Sequence, residues 1–188
     1  MAVLAPRRVT SEEYLRREAV ADTKSELIDG RIVAMAAASR QHVVITPNLG
    51  DALAPLLRDT GCRRFDSDAK VWIAAFDEYL YPDACVACPP DFVNDAVGAI
   101  DNPIVVLEVL SPSTEARDRG IKFERYSTLP SLGEYVLVAS ERIAVETFVR
   151  LGDGRWVRSL WTGLESVARL ESLGADLPLS AIYAGWTP

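Results

Sequence analysis

Apolar and polar positions along the chain fall into a series of short patterned segments, each bounded by turn-forming residues. Thr10-Ser11-Glu12-Glu13, followed by Tyr14 and Leu15, predicts an N-cap and a short first helix. In Glu26-Leu27-Ile28-Asp29-Gly30-Arg31-Ile32-Val33-Ala34-Met35 an Asp-Gly pair separates two strand-like runs, which predicts a hairpin. From Ser39 to about Arg58, the residues Val43, Val44, Leu49, Leu53 and Leu56-Leu57 follow a helical period, with a bend expected near Pro47. Residues 64–75 and 79–87 read as two strands, and the Asp77-Glu78 turn between them predicts an antiparallel pair. Residues 104–110 form an apolar run between Asn102-Pro103 and Ser111-Pro112, the pattern of a central strand. A helix is expected over 116–129 and a strand over 134–139, so this stretch reads as a strand-helix-strand crossover. Residues 143–150 and 155–161 flank Gly152-Asp153-Gly154 as a second hairpin, and Leu170, Leu173, Leu177, Leu179, Ile182 and Tyr183 make a closing apolar segment. The sum is an α/β chain of the mixed α+β kind, with a central mixed sheet flanked by helices.

With 188 residues, 49% of them hydrophobic and 25% charged, the chain is long enough to enclose a core, and residues 1–188 are expected to form one domain. No apolar run approaches the roughly 18 residues of a membrane span. The start, Met1-Ala2-Val3-Leu4-Ala5-Pro6-Arg7-Arg8, lacks the layout of a secretory signal, so the cytoplasm is the expected compartment and no membrane partner is expected. Three cysteines, Cys62, Cys85 and Cys88, exclude a full disulfide framework and fit a reduced compartment. Cys85-Val86-Ala87-Cys88 has redox-motif spacing but continues a strand-like segment, so ordinary small strand residues are expected there. A net charge of −7 argues against gripping nucleic acid mainly by bulk electrostatics. Local basic stretches remain at Arg63-Arg64, at Arg117-Asp118-Arg119 and at Lys122 with Arg125; a solvated face is the alternative reading of each.

Two carboxylates carry the candidate chemistry. Glu108 lies inside Ile104-Val105-Val106-Leu107-Glu108-Val109-Leu110, where an ionised side chain is costly unless paired or bound to a metal. Asp83, in Tyr81-Pro82-Asp83, supplies a second acid if its strand lies beside that of Glu108. Together with the Val109 carbonyl they would offer hard oxygen ligands to Mg²⁺ or Mn²⁺, and metal-assisted phosphodiester hydrolysis suits such a site. Lys122, in the helix after the Glu108 strand, can reach back toward the strand end, and Glu26 or His42 could complete the site. Plainer readings stand beside these. Asp83 could cap a turn, Glu108 could pair structurally with Arg125 or Lys122, Lys122 could be a surface charge, Glu26 an exposed hairpin residue, and His42 a helix-start residue. Tyr79, Tyr81, Trp72 and Phe76 are read mainly as core or dimer contacts. Trp156, Trp161 and Trp186 could cover a sheet edge or form an oligomer interface.

Tyr81-Pro82-Asp83, the run from Asn102 through Glu108 to Glu115, Asp118-Arg119-Gly120-Ile121-Lys122-Phe123-Glu124-Arg125-Tyr126, and Pro130-Ser131-Leu132-Gly133-Glu134-Tyr135-Val136-Leu137-Val138 closely resemble the Uma family of endonuclease domains. That family is part of the PD-(D/E)XK, or restriction-endonuclease-like, superfamily. The resemblance extends to Glu12-Glu13-Tyr14-Leu15, Glu26-Leu27-Ile28-Asp29-Gly30 and Ser39 with His42. It implies a restriction-endonuclease-like fold, a Mg²⁺-dependent endodeoxyribonuclease acting on DNA, and Asp83 and Glu108 as metal ligands. The superfamily pattern sets a lysine two residues after the Glu, where this chain has Leu110; the resemblance transfers that role to Lys122 on the following helix. Glu26 resembles the additional acid of some superfamily members, and His42 matches the family's Ser-x-x-His segment. The rival expectation is a catalytically silent homodimer that keeps the fold and binds a partner or nucleic acid through its C-terminal hairpin and tryptophans. A third is hydrolysis of another phosphate ester with the same ligands.

Overall fold

The structure is a computed structural model and describes residues 8–35, 37–94 and 98–187. The first seven residues, on which the reading of the N-terminal start rests, lie outside the described residues. Helix α1 (Ser11–Glu18) begins at Thr10, whose hydroxyl accepts the Glu13 N–H at 3.1 Å. Strands β1 (Ser25–Ile28) and β2 (Arg31–Ala34) pair antiparallel across Asp29-Gly30. Both turn residues have positive φ, 52° and 69°, as a two-residue hairpin of this type demands. Helix α2 (Arg40–Leu53) is capped by Ser39, which accepts the His42 N–H at 3.2 Å, and runs on as a 3-10 turn over Ala54–Leu57.

The next segment departs from the two uninterrupted strands expected from the sequence. It forms β3 (Arg63–Asp66), β4 (Lys70–Ile73), β5 (Glu78–Leu80) and β6 (Ala84–Ala87). The antiparallel pairing survives, but the hairpin is folded across two sheets: β4 pairs with β5 in one, β3 with β6 in the other. Two local features make the bend. Asp66 accepts the Asp68 N–H through its side chain and the Ala69 N–H through its carbonyl, an Asx-type turn; opposite, Pro82 has no N–H to give the ladder. Asp83 therefore sits at the break, where the chain leaves one sheet for the other.

Strands β7 (Phe92–Asn94) and β8 (Ala99–Ile100) complete the first sheet, ordered β2-β1-β5-β4-β8-β7. Strand β9 (Pro103–Leu110) is the buried central strand and leads into α3 (Glu115–Arg117), a π turn over Asp118–Lys122, and α4 (Phe123–Tyr126). Strand β10 (Glu134–Ala139) then pairs parallel with β9, so the expected crossover is present. β11 (Ala144–Arg150) and β12 (Trp156–Thr162) form the second hairpin, giving the order β12-β11-β10-β9-β6-β3. The closing apolar segment becomes the β13 (Val167–Leu170) and β14 (Ala175–Pro178) ribbon and helix α5 (Leu179–Ile182). No helix among the described residues is long and apolar enough to cross a membrane.

Successive residues of β9 face opposite sides of the second sheet. Val105, Leu107 and Val109 pack with Ile45, Leu49 and Leu53 of α2 and with the C-terminal ribbon, whereas Val106 and Leu110 enter a second core with Tyr126 and Tyr135. Glu108 shares the face of Val106 and Leu110. Leu49 lies two turns beyond His42 on the same face of α2 and is fully buried. Leu49→Ala should lower stability by about 2–5 kcal/mol, measured by urea unfolding, because the cavity loses the contacts that seat α2.

The cysteines correct another expectation. Cys62 and Cys88 form a disulfide, with Cα atoms 4.1 Å apart, leaving Cys85 free and buried. The β3–β6 register, Arg63 opposite Ala87, sets the two residues just beyond it face to face. The odd cysteine count thus gives no support to a reduced compartment. The tryptophans also turn inward: Trp156 packs edge-on to Phe123, Trp161 is partly buried against the first core, and the Trp186 indole donates to the Ser140 carbonyl at 2.8 Å. Tyr79 and Tyr81 are buried, while Phe76 is 42% exposed and lies under the Arg125 guanidinium.

Candidate functional site

Ala84 of β6 stands opposite Leu107 of β9, so one further step along this antiparallel register sets Asp83 opposite Glu108. The two acids open into one cleft of about 170 Å³ that also takes in Glu26, His42, Tyr81, Val109, Arg117, Asp118 and Lys122. All six residues singled out in the sequence therefore line a single cleft.

Asp83 is fixed from two sides. Its Oδ2 accepts the Val109 N–H at 2.7 Å, and its Oδ1 lies 3.0 Å from His42 Nε2. The other ring nitrogen of His42 stands 3.2 Å from the Thr46 hydroxyl, one helical turn away on α2. Burial lowers the His42 pKa, but the hydrogen bond and charge of Asp83 outweigh it, so the imidazole is held above its ordinary value.

Lys122 is buried, not a surface charge. Its ammonium lies 2.6 Å from Glu108 Oε1, 3.2 Å from Glu26 Oε1 and 3.9 Å from Asp118 Oδ1, and it donates to the Tyr81 carbonyl at 3.0 Å. Glu26 Oε1 accepts the Tyr81 N–H at 3.0 Å, so both polar groups of the Tyr81 backbone are tied to this cluster. Arg117 approaches Glu26 Oε2 at 3.6 Å. Burial opposes the charge on Lys122, yet Glu108, Glu26 and Asp118 together raise its pKa and keep it an ammonium. Burial pushes Glu108 well above the ordinary carboxylate range; Lys122 opposes this, and Asp118 and Asp83 add to it. A bound cation would favour the ionised form and draw Glu108 back down.

The π turn explains why Lys122 reaches this place. Each wide turn inserts an extra residue and rotates the succeeding side chains relative to a regular helix. Leu110, at the position where the superfamily pattern has lysine, is buried in the second core. Arg119, from the same π turn, grips Glu146 of β11 through both terminal nitrogens, at 3.0 and 2.5 Å, while Arg158 donates to that carboxylate at 2.6 Å. Burial pushes Glu146 up, but these two guanidiniums outweigh it and hold its carboxyl below its ordinary value. A lowered carboxyl pKa gives stability that is present above the unfolded-state pKa and is lost as pH falls through the folded-state value. Glu146→Gln should therefore flatten the fall in melting temperature between pH 7 and pH 3, read by circular dichroism.

The basic stretches are mostly committed inside the fold. Arg125 donates to Glu78 at 2.9 Å and to Asp29 at 2.7 Å, and makes no pair with Glu108; Arg119 is held by Glu146 and Glu115. Arg63 and Arg64 are exposed and form no ion pair among the described residues. Asp118 and Arg117 were not foreseen as site residues. The available signal was the four-residue spacing from Asp118 to Lys122, which sets both side chains on one side of a helix.

The donor set fits a divalent cation. Four carboxylates, Glu26, Asp83, Glu108 and Asp118, face the cleft against two fixed cations, Lys122 and Arg117. Glu26 is wholly buried, and its Oε2 has no hydrogen-bond donor. Among the described residues no group of three or more His, Cys, Asp or Glu side chains is placed to hold a metal ion on its own. An open pair of carboxylates is what Mg²⁺, which retains several waters, commonly uses.

A bent hairpin beside a parallel crossover, with acids at the junction, defines a restriction-endonuclease-like fold. A solved structure described as a "putative nuclease belonging to DUF820" from Anabaena variabilis superposes with a TM-score of 0.76, covering 94% of this chain and 98% of that one at 14% identity. Residues 11–180 match the Uma2 family, described as "putative restriction endonuclease", and the chain belongs to that family. Two proteins of Synechocystis sp. strain PCC 6803 are also similar. "Uncharacterized protein sll1609" is 39% identical over 158 residues, 84% of this chain and 89% of its own length. "Uncharacterized protein slr1290" is 35% identical over 178 residues, 95% of this chain and 93% of its own.

Proposed function

We propose that the protein is a divalent-metal-dependent endonuclease that hydrolyses phosphodiester bonds in DNA. The observation that carries this reading is the placement of Asp83 opposite Glu108 at a strand break, with the Lys122 ammonium 2.6 Å from Glu108. Asp83, Glu108 and the Val109 carbonyl would hold Mg²⁺ or Mn²⁺. When bound, such an ion offsets charge building on the phosphate and eases the ionisation of a water. Asp83 is oriented for this by the Val109 N–H and by His42, which acts as a positioning residue. Lys122 supplies a fixed positive charge beside Glu108 to orient the attacking water, and Glu26 holds Lys122 in place. Arg63 and Arg64, exposed and without an ion pair among the described residues, leave a local basic stretch on β3 despite the chain's overall negative charge.

The open edge of β12, which carries exposed Val157 (47%) and Leu160 (51%) on opposite faces, supports a homodimer assembled by strand pairing along that edge. This bears equally on a catalytically silent homodimer, so assembly alone does not separate the two. Cleavage does. Purified protein is incubated with supercoiled plasmid and with single-stranded DNA, in Mg²⁺ or Mn²⁺ and in excess chelator. Nicked or linear product that needs the metal supports the nuclease; intact DNA of both kinds under all conditions favours the silent module.

A further inference from the structure

We propose that the Cys62–Cys88 disulfide is a thiol-exchange site for small anionic thiols, which dock in a pocket of arginines beside Cys62 and become bonded to its sulfur. The disulfide ties edge strand β3 to β6 just beyond their outermost pair, Arg63 opposite Ala87. Both cysteines are partly exposed, unlike the buried Cys85. Cys62 also lines an open pocket of about 540 Å³ together with Arg58, Arg63 and Arg64. Asp59 is the one acid of that lining, and no lining residue is shared with the cleft of Asp83 and Glu108.

Nothing in the fold pairs with the three guanidiniums. Among the described residues none of them forms an ion pair or donates a hydrogen bond, whereas Arg119 and Arg125 are each gripped by carboxylates. Arg64 lies against α2 at Gly50, where an added Cβ would meet its Cζ and Nη1 at 3.1 Å, so the missing side chain is what admits the guanidinium. Three positive charges against one negative, on a chain of net charge −7, make a pocket that selects an anion. A thiolate is the species that opens a disulfide, and a thiol that also carries a carboxylate or sulfonate gives the arginines a group to hold. Its thiolate bonds to Cys62 Sγ, the S–S bond breaks, and Cys88 Sγ leaves with the electron pair and takes a proton from water. A second thiolate then attacks the sulfur of the attached thiol, releasing the small-molecule disulfide and leaving Cys62 as a thiolate. Two electrons thus pass from two thiols to the protein, and β3 loses its covalent tie to the strand that follows Asp83.

The full chain, oxidised in air, is treated with mercaptoethanesulfonate, mercaptoethanol or cysteamine, which set a negative, a neutral or a positive group beside the same short thiol. Opening of the disulfide is followed by alkylating the new thiols and weighing the Cys62 and Cys88 peptides, and rates are compared per thiolate present. Mercaptoethanesulfonate should react about tenfold faster than mercaptoethanol, with cysteamine slowest, and high salt should remove most of the difference. Arg58→Gln combined with Arg64→Gln should bring the three rates together. In Cys88→Ser, whose Cys62 thiol cannot close again, the symmetric disulfide of mercaptoethanesulfonate should label Cys62 faster than cystamine does. Equal rates per thiolate in wild type, or an advantage that ignores salt or survives the arginine changes, would overturn the proposal. So would free Cys62 and Cys88 thiols in protein equilibrated with air. If the arginine variant does not fold, the wild-type series and its salt dependence decide. None of these readouts involves DNA cleavage or a metal, so the result stands or falls apart from the nuclease reading.

Discussion

Asp83→Asn should lower metal-dependent DNA cleavage by about 10²–10³-fold, the loss expected when several kcal/mol of charge stabilisation is removed from a hydrolytic transition state. The amide has nearly the shape of the carboxylate and can still accept the Val109 N–H, so the unfolding midpoint should move little. What it lacks is the negative charge, opposite Glu108, that a divalent ion needs. Asp83→Ala should lose as much activity and also release His42 from its partner. Plasmid nicking rates at saturating Mg²⁺, compared with urea unfolding of the same preparations, separate chemistry from folding. Full cleavage by Asp83→Asn would remove Asp83 from the mechanism.

The largest effect on stability is expected at Lys122. Lys122→Ala should cost about 3–5 kcal/mol, because it breaks a buried pair and leaves carboxylates facing one another without their cation. The sign of its pH dependence is set by burial. Without the ammonium, Glu108 and Asp118, which burial already raises, are raised further. Groups with raised folded-state pKa contribute stability that is fully present below the unfolded-state value and is lost as pH rises through the folded-state value. The gap between wild type and Lys122→Ala should therefore be small in acid and widen toward neutral pH, measured by urea unfolding at a series of pH values. An equal gap at every pH would mean that the side chain acts by packing alone.

Much of the architecture can be read from short-range pattern. Asp29-Gly30 specifies its hairpin because both residues tolerate positive φ, and the apolar run around Glu108 specifies a central strand because both its faces are buried. The parallel crossover to residues 134–139 arises from a strand, a helix and a strand in sequence. The bend that matters most for the site is less visible. Residues 64–75 and 79–87 have continuous strand propensity, and their division between two sheets depends on the Asp66 turn and on Pro82 acting at opposite points of one hairpin. Asp83 and Glu108 could be singled out individually as acids in unusual settings, but their alignment needs the β6–β9 register.

Lys122 shows the same limit from the other side. Its sequence neighbours suggest a regular helix, on which a lysine is normally solvated; the π turn and the long-range approach of Glu26 bury it instead. Asp118 carries a signal only through its four-residue spacing from Lys122, so it becomes legible once Lys122 is known to be buried, and the Cys62–Cys88 bond depends on a strand register that spacing alone does not encode. In each case a local pattern specifies the element, and the function-bearing contact arises between elements distant in sequence.

The proposed chemistry requires one divalent ion shared by Asp83 and Glu108 beside the Lys122 ammonium. Anomalous diffraction from a crystal soaked in Mn²⁺ tests it most directly. A single peak within coordinating distance of both carboxylates, with Lys122 Nζ directed toward the same cleft, is the expected result. A peak elsewhere, or carboxylates too far apart in the crystal to touch one ion, would contradict it.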